Sequence, residues 1–304
     1  MKIRPEDFKK YFKNEPSNHF KKEIKDLEYH FLSQEDEKKK ILEIIKTIIE
    51  KNIKKSGKEY KKKWDSGWNE NFNLFKKSKK IKDLIPKYFF KNKISRIGNK
   101  LIKTKSKNFD YKILRLITLH VFLKHLKKET NIVEFGCGTG HNLIALSKIN
   151  KAAKIYGLDW AKSSQKILKI ISQKYKTISG HRFNYFNPKL DNAINLKKNN
   201  WSCFTVASLE QLGNDFLKFI NFLKNHKPKI IINIEPINEL MSKDKILDYL
   251  SVKYSKKRNY LENYYNYLKK LEKNKIIKII EVKKSHFGSF FINGYSIIVW
   301  KFIK

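Results

Sequence analysis

The chain has 304 residues, of which 40% are hydrophobic, and a formal net charge of +39 at pH 7. This length and apolar content suffice for a substantial core, in one large domain or in one domain with an extension. No uninterrupted apolar run approaches the ~20 residues of a membrane span, and the charged N-terminus lacks the apolar stretch of a signal peptide, so we expect a protein that is neither membrane-spanning nor exported.

The two cysteines, Cys137 and Cys203, match neither a disulfide framework nor a zinc site. A reducing, cytoplasmic setting is therefore the simplest expectation. The sequence gives no indication of the oligomeric state.

The positive charge invites a nucleic-acid interpretation, because Lys and Arg neutralise phosphates. Only five of the 68 basic residues are arginine, however, and arginine is the side chain best suited to bidentate recognition of phosphates and bases. The lysines are spread along the chain and do not form one stripe. A nucleic-acid partner stays open but is not favoured.

Residues 1–125 show no strand-like alternation, and their apolar residues recur at spacings of three and four, which predicts amphipathic helices. The first set comprises Phe20, Ile24, Leu27 and Phe31, and the second runs from Ile41 to Ile49. We interpret residues 1–110 as a helical extension or lid, and residues 111–304 as the catalytic domain.

An aromatic segment interrupts this extension, with Trp64 and Trp68 in the sequence Trp-Asp-Ser-Gly-Trp-Asn-Glu-Asn. One interpretation is that these rings fasten the extension to the catalytic domain. The other is that they form a lid, which closes over a cofactor or acceptor and excludes water.

After a helix predicted over residues 111–125, strands and helices alternate, which is typical of a mostly parallel sheet covered on both faces. The pattern predicts four helices, at residues 141–149, 161–175, 212–225 and 244–273. It predicts seven strands, at residues 131–136, 154–159, 180–185, 202–207, 229–235, 276–284 and 294–302.

Directly after the first of these strands, three glycines stand at alternate positions in Gly136-Cys137-Gly138-Thr139-Gly140. A strand that turns sharply into a helix against a ligand needs residues without a Cβ atom. Nineteen residues beyond Gly140, the next apolar run ends on Asp159, where a carboxylate can accept hydrogen bonds from a ribose diol. No Lys-Ser or Lys-Thr follows the glycines, which excludes a P-loop.

This arrangement resembles motif I of the class I S-adenosylmethionine-dependent methyltransferases, and Tyr156-Gly157-Leu158-Asp159-Trp160 resembles the segment that follows it. The resemblance implies a Rossmann-like α/β fold with a seven-stranded sheet, mostly parallel, whose last strand is antiparallel beside the fifth. It also implies S-adenosylmethionine as the cofactor. Only the glycine segment and the Asp159 segment are specific to this family.

In such sheets, ligands bind at the carboxyl ends of the strands. We therefore expect Glu134 and the glycine loop to face the methionine part of the cofactor, and Asp159 the ribose. Trp160 is placed to wall the adenine. Asn184 stands where relatives often carry an Asp that receives the adenine amino group, and Tyr185 follows it. Trp64 and Trp68 join this cofactor set as the lid residues.

The acceptor side is less defined. Glu210, after the fourth strand, is a candidate for orienting an acceptor or for contacting the cofactor ammonium. Alternatively, it is a carboxylate at a helix N-terminus that opposes the helix dipole. Glu235, after the fifth strand, and His286 are the candidate general bases. The guanidinium group of Arg258 can donate two hydrogen bonds to a carboxylate or phosphate of an acceptor. An ion pair of Arg258 with an acidic residue of this protein is an equally good explanation. With Asn238, the two glutamates only loosely imitate a magnesium site, so no metal is expected.

The fourth strand end lacks the Asn/Asp-Pro-Pro-Tyr/Phe signature of adenine and glutamine N-methyltransferases. We therefore predict methyl transfer to an O, N or S centre of a small metabolite, anionic or amino-acid-like. An RNA methyltransferase and a non-catalytic cofactor-binding module are the alternatives. Methyl transfer needs alignment and proton removal and no nucleophile triad, and no such triad is apparent.

Overall fold

A computed structural model describes residues 1–3 and 27–303. The predictions at Phe20 and Ile24 lie outside the described residues. Within the described ranges, no helix is long and apolar enough to cross a membrane.

The N-terminal part contains two long helices and three short strands. In chain order they are β1 (Tyr29–Phe31), α1 (Gln34–Glu50), α2 (Lys61–Ser78), β2 (Ile94–Ile97) and β3 (Lys100–Thr104). Ser33 caps α1 by accepting a hydrogen bond on its Oγ from the Asp36 backbone N–H at 3.1 Å. The helix predicted from the repeat at Ile41 to Ile49 is thereby confirmed.

The C-terminal part begins with α3 (Phe109–Val121), which continues through one wider turn to Leu126. Strands and helices then alternate as β4 (Asn131–Phe135), α4 (His141–Ile149), β5 (Lys154–Asp159), α5 (Lys162–Lys174), β6 (Ile178–Arg182), β7 (Ser202–Val206), α6 (Leu217–His226) and β8 (Ile230–Glu235). The last elements are α7 (Ile246–Lys257), α8 (Tyr264–Lys273), β9 (Ile277–Lys283), β10 (Phe287–Ser289) and β11 (Ser296–Phe302).

The large sheet has seven strands in the order β6-β5-β4-β7-β8-β11-β9. The strands from β4 to β8 pair in parallel, whereas β11 pairs antiparallel with both β8 and β9. This confirms the predicted antiparallel last strand beside the fifth. The strand order reverses between β4 and β7. Because β4 and β5 are parallel neighbours, their carboxyl ends bring the glycine loop and Asp159 to the same edge of the sheet.

Apolar clusters cover both faces of this sheet. One contains residues of α3, α4 and α5, and the other contains residues of α6 and α8 around Trp201 and Trp300. Burial on both faces explains why the central strands read as continuous apolar runs.

The second sheet was not predicted. It has four strands in the order β1-β3-β2-β10, all antiparallel. Phe31, assigned to a helix from its spacing, lies in β1 and pairs with Ile102. The helical interpretation of residues 1–125 is therefore wrong for β1, β2 and β3, because strands of 3 to 5 residues are too short to show a clear alternation.

Two boundaries also differ from the predictions. The third strand ends at Arg182, and the segment 183–186 that follows is a loop with inward-facing aromatic rings. The single helix predicted over residues 244–273 is two helices, separated by a turn in which Asn259 and Asn263 have positive φ angles.

Candidate functional site

A cleft with about 790 Å³ of empty volume lies at the carboxyl ends of β4, β5 and β7. We call it the central cleft. It is lined by Trp64, Trp68, Pro86, Tyr88, Glu134, Gly136, Cys137, Gly138, Thr139, His141, Asn142, Asp159, Trp160, Phe183, Tyr185, Phe186, Val206, Ala207, Ser208, Gln211 and Leu212.

The glycine loop forms the floor of the cleft, and its conformation requires glycine. Gly136 and Gly138 have φ angles of +70° and +52°. A Cβ atom at position 136 would lie 2.5 Å from the Ser208 Cβ, and one at position 138 would lie 3.0 Å from the Trp68 ring. The backbone therefore turns in a left-handed conformation with neighbouring side chains directly against it.

Asp159 binds this loop while keeping capacity for a ligand. Its Oδ2 accepts a hydrogen bond from the Gly138 N–H at 2.9 Å, and its Oδ1 accepts one from the Ala161 N–H at 2.8 Å. Each carboxylate oxygen has a second lone pair. Burial raises the pKa of Asp159 to about 6, although these backbone hydrogen bonds oppose the shift.

Glu134 is buried and lacks part of its hydrogen bonding. Its Oε1 accepts from the Asn142 amide at 2.8 Å, whereas its Oε2 has no hydrogen-bond partner among the described residues. Burial, and then the charge of Asp159, raise the pKa of Glu134 well above its usual value. A buried carboxylate oxygen without a donor is costly, and a bound cation or N–H donor would stabilise it.

Aromatic rings form the wall beyond Asp159. Trp160 and Phe186 line the cleft with ring centroids 5.8 Å apart. Tyr185 also lines it, and its hydroxyl lies 3.0 Å from the Ser208 Oγ. Asn184, the predicted adenine-binding residue, does not line the central cleft. Its Oδ1 accepts from the Phe186 N–H at 3.0 Å, so it stabilises the turn that directs the rings inward.

Helix α2 roofs the cleft and is fastened on both sides. Trp64 and Trp68 line the cleft with centroids 5.3 Å apart, in a stacked arrangement. Between them, the Asp65 Oδ1 accepts a hydrogen bond from the Ser163 N–H at 2.8 Å, at the start of α5. On the other side, the Thr139 hydroxyl donates to the Leu84 carbonyl at 2.6 Å. The aromatic segment therefore both attaches the extension and forms a wall of the cleft.

Cys137 is buried in the loop, and its Sγ lies 3.7 Å from the Ser164 Oγ. Burial raises the pKa of this thiol well above its usual value, and the same holds for Cys203. Neither side chain has the environment of a reactive thiolate.

Glu235 does not fit its predicted role as a general base. It is fully buried and absent from the cleft lining, because its carboxylate accepts backbone hydrogen bonds from a neighbouring turn. Its Oε1 accepts from the Ser208 and Leu209 N–H groups, each at 3.1 Å, and its Oε2 accepts from Glu210 N–H at 3.2 Å. The structure therefore gives Glu235 a positioning role for the turn at Ser208–Glu210.

His286 also departs from its prediction. It is half-buried before β10, where its carbonyl accepts from the Gly98 N–H at 2.7 Å, and it does not line the central cleft. Burial and the nearby Lys284 and Lys245 lower its pKa. Its position beside the second sheet separates it from the glycine loop, so it is not placed to remove a proton there.

Glu210 and Arg258 come together beside the cleft. Glu210 accepts from the Gln211 amide at 2.8 Å. Arg258 donates to the Lys54 carbonyl and to the hydroxyls of Tyr60 and Tyr260, the latter at 3.4 and 3.2 Å. Among the described residues its partners are therefore neutral oxygen atoms, and none of these residues forms with it the internal ion pair considered from the sequence.

Several lining residues were missed by sequence reasoning, notably Tyr88, Phe186, Ser208 and Gln211. Tyr88 follows Pro86 in a stretch whose only sequence signal is a break in helical periodicity. Ser208 and Gln211 stand at a strand end that sequence reasoning did identify, but Glu210 was chosen for its charge. Among the described residues, no group of three or more His, Cys, Asp or Glu side chains is arranged to hold a metal ion.

No protein-family model and no curated protein matches the sequence. Among solved structures, the chain is similar to an O-methyltransferase from neocarzinostatin biosynthesis, in complex with S-adenosylmethionine and 2-hydroxy-5-methyl naphthoic acid (13% identity, 64% of this chain, 58% of that chain, TM-score 0.41). It is also similar to a SAM dependent methyltransferase from Aquifex aeolicus (19% identity, 64% of this chain, 98% of that chain, TM-score 0.43).

A third similar structure is an N-methyltransferase from Bradyrhizobium japonicum WM9, in complex with S-adenosyl-L-homocysteine (10% identity, 64% of this chain, 88% of that chain, TM-score 0.46). This chain spans less than two thirds of the length of the neocarzinostatin enzyme. The chain's own strand order, with an antiparallel strand between the fifth and sixth, is that of the class I methyltransferase fold.

We expect Gly136→Ala to lower the free energy of unfolding more than Gly98→Ala does. Both glycines have positive φ angles, +70° and +59°, so both variants carry the left-handed strain of about 1–2 kcal/mol. Only at position 136 does the new Cβ meet another side chain, since nothing lies within 4 Å of one at position 98. Urea denaturation of the two variants measures the difference, and equal losses would contradict the close approach of Ser208.

Proposed function

We propose that this protein transfers the methyl group of S-adenosylmethionine to an O, N or S centre of a small molecule. The observation that carries the proposal is the unpartnered Glu134 Oε2 beside the glycine loop, at the same strand edge as Asp159. A ligand with a cationic amine near one end and a ribose diol near the other would satisfy both carboxylates. S-adenosylmethionine has these two groups.

Each part of the cleft has a role in this proposal. The Glu134 carboxylate would accept a hydrogen bond from the ammonium of the methionine part. Asp159 would accept from the ribose hydroxyls through its remaining lone pairs. Trp160 and Phe186 would provide the apolar wall for the adenine. The bound cofactor would supply a methyl carbon attached to a positively charged sulfur.

The residues of this chain would contribute alignment and exclusion of water. Trp64 and Trp68 lie over the cleft, and α2 is held in place by Asp65 and by the contact of Thr139 with Leu84. A roof built from a fixed helix limits the space above the glycine loop. This enclosure supports a small acceptor over a macromolecule.

The net charge of +39 suggests methyl transfer to RNA as one competing function. The second alternative is a protein that binds the cofactor without catalysing a reaction. A non-catalytic protein would bind the cofactor and transfer no methyl group, so the labelling test separates it from an enzyme.

The test uses the purified protein and S-adenosylmethionine carrying a labelled methyl group, incubated with size-fractionated bacterial extract. We expect label in the small-molecule fraction, unchanged by ribonuclease. Label confined to a ribonuclease-sensitive fraction would overturn the small-molecule acceptor. Absence of cofactor binding by calorimetry would overturn the assignment as a methyltransferase.

A further inference from the structure

Glu210 lies beside the central cleft, and its charge acts on Tyr88, Tyr254, Tyr260 and Tyr295, which we call the tyrosine cluster. Burial, and next the charge of Glu210, raise the pKa of Tyr260. Tyr88 is 43% exposed. It also lines the central cleft, so the cluster and the cleft are continuous.

Glu210 is held firmly among these rings. Its N–H donates to Glu235 at 3.2 Å, and its carbonyl accepts from the Leu261 N–H at 2.9 Å. Its Oε1 accepts from Gln211, whereas its Oε2 accepts no hydrogen bond from the described residues. Among those residues, no Lys, Arg or His nitrogen lies within salt-bridge distance of its carboxylate, because Arg258 is turned toward the hydroxyls of Tyr60 and Tyr260.

Gln211 adds a second unsatisfied acceptor. Its side chain is 9% exposed and lines the cleft, and its Oε1 has no partner while its Nε2 donates to Glu210. A buried amide oxygen without a donor indicates that a donor is supplied from outside the chain. The side chains of Glu210 and Gln211 thus present acceptor oxygens next to aromatic rings.

We infer that the methyl acceptor is an amine, bound as an ammonium by Glu210 and the Gln211 Oε1 within the tyrosine cluster. This inference rests on the proposed methyl transfer. An ammonium offers several donors to these oxygens, and its charge is attracted by the carboxylate and by the faces of the tyrosine rings. A carboxylate acceptor would be repelled by Glu210, and a neutral alcohol would gain neither charge interaction.

The chemistry balances with Glu210 as the proton acceptor. Glu210 takes one proton from the ammonium, which frees the nitrogen lone pair. The nitrogen forms a bond to the methyl carbon as the carbon–sulfur bond breaks, and the electrons of that bond stay on sulfur, which becomes a neutral thioether. The proton on Glu210 passes to solvent. Burial, and next the nearby Glu235, raise the pKa of Glu210 to about 8, so the carboxylate form that binds the ammonium and takes its proton predominates only above this pH.

The binding test compares benzylammonium with benzyl alcohol by calorimetry, with and without S-adenosylhomocysteine. We expect the wild-type protein to prefer benzylammonium at least about tenfold, equivalent to ~1.4 kcal/mol. Glu210→Gln should abolish this preference and leave the affinity for S-adenosylhomocysteine unchanged. Glu239→Gln is the matched control, because Glu239 accepts from the Tyr265 N–H away from the cleft and an amide oxygen can do the same.

The inference of an amine acceptor would be overturned if the wild-type protein bound the two probes with equal affinity. It would also be overturned if the preference for benzylammonium survived Glu210→Gln. Failure of S-adenosylhomocysteine to bind would instead count against the proposed function, so the two failures are distinguishable.

The labelled product provides an independent readout. Treating the extract with acetic anhydride blocks amines, and we expect this treatment to remove the label-accepting activity. The product should retain its label in dilute alkali, since N-methyl groups are stable there. Release of labelled methanol in alkali would identify a methyl ester and contradict an amine acceptor.

Discussion

Asp159→Ala is expected to weaken binding of S-adenosylmethionine at least about 100-fold. In the proposed complex the carboxylate accepts two hydrogen bonds from the ribose, and hydrogen bonds to a charged group contribute ~1.5–3 kcal/mol each. Isothermal titration calorimetry measures the loss. Asp244→Ala is the control, because Asp244 is exposed and its carboxylate is absent from the cleft.

The substitution Asp159→Ala also removes the hydrogen-bond acceptor of the Gly138 and Ala161 N–H groups. The thermal unfolding of this variant is therefore recorded in parallel. A second readout separates ligand binding from folding. Burial raises the pKa of Asp159 to about 6, so the charged form that accepts the ribose hydroxyls predominates above this pH. Wild-type affinity should therefore fall as the pH decreases through about 6, and the affinity of Asp159→Ala should depend less on pH. Unchanged affinity in the folded variant would refute the ribose role.

The meeting of the glycine loop with Asp159 was predictable because its signals are local. A β-strand followed by alternate glycines requires a backbone turn against a ligand, and Asp159 ends the adjacent parallel strand at the same edge. Their meeting, with the Gly138 N–H donating to the Asp159 carboxylate, follows from the parallel register of β4 and β5. The antiparallel last strand beside the fifth came from the family resemblance, and the structure confirms it.

The acceptor side was not predictable because it depends on where side chains find partners. Glu235 and Glu210 both stand at strand ends, and the sequence does not indicate that three backbone N–H groups turn toward Glu235 and leave Glu210 beside the cleft. Tyr88 and Tyr260 are separated by more than 170 residues and meet only through the fold. The second sheet was missed for the same reason, since β2 pairs with β10 about 190 residues later.

The final prediction concerns Glu235, which contacts neither the cofactor nor the methyl acceptor in the proposed complex. Glu235→Gln should keep the affinity for S-adenosylmethionine within about twofold, yet lower kcat about tenfold or more. The amide replaces one carboxylate oxygen with an N–H donor, so at least one N–H among Ser208, Leu209 and Glu210 loses its acceptor, at ~1–3 kcal/mol. The turn that carries Glu210 would then shift, and small displacements of reacting groups cost large factors in rate.

The measurement is the rate of label transfer to the active extract fraction as a function of S-adenosylmethionine concentration, which separates kcat from KM. Glu239→Gln, whose oxygen still accepts from Tyr265, should retain both parameters. A merely structural loss in Glu235→Gln would lower cofactor affinity and thermal stability together with turnover, whereas a positioning role lowers kcat alone. Wild-type turnover in Glu235→Gln would show that the three hydrogen bonds to this carboxylate do not control the position of Glu210.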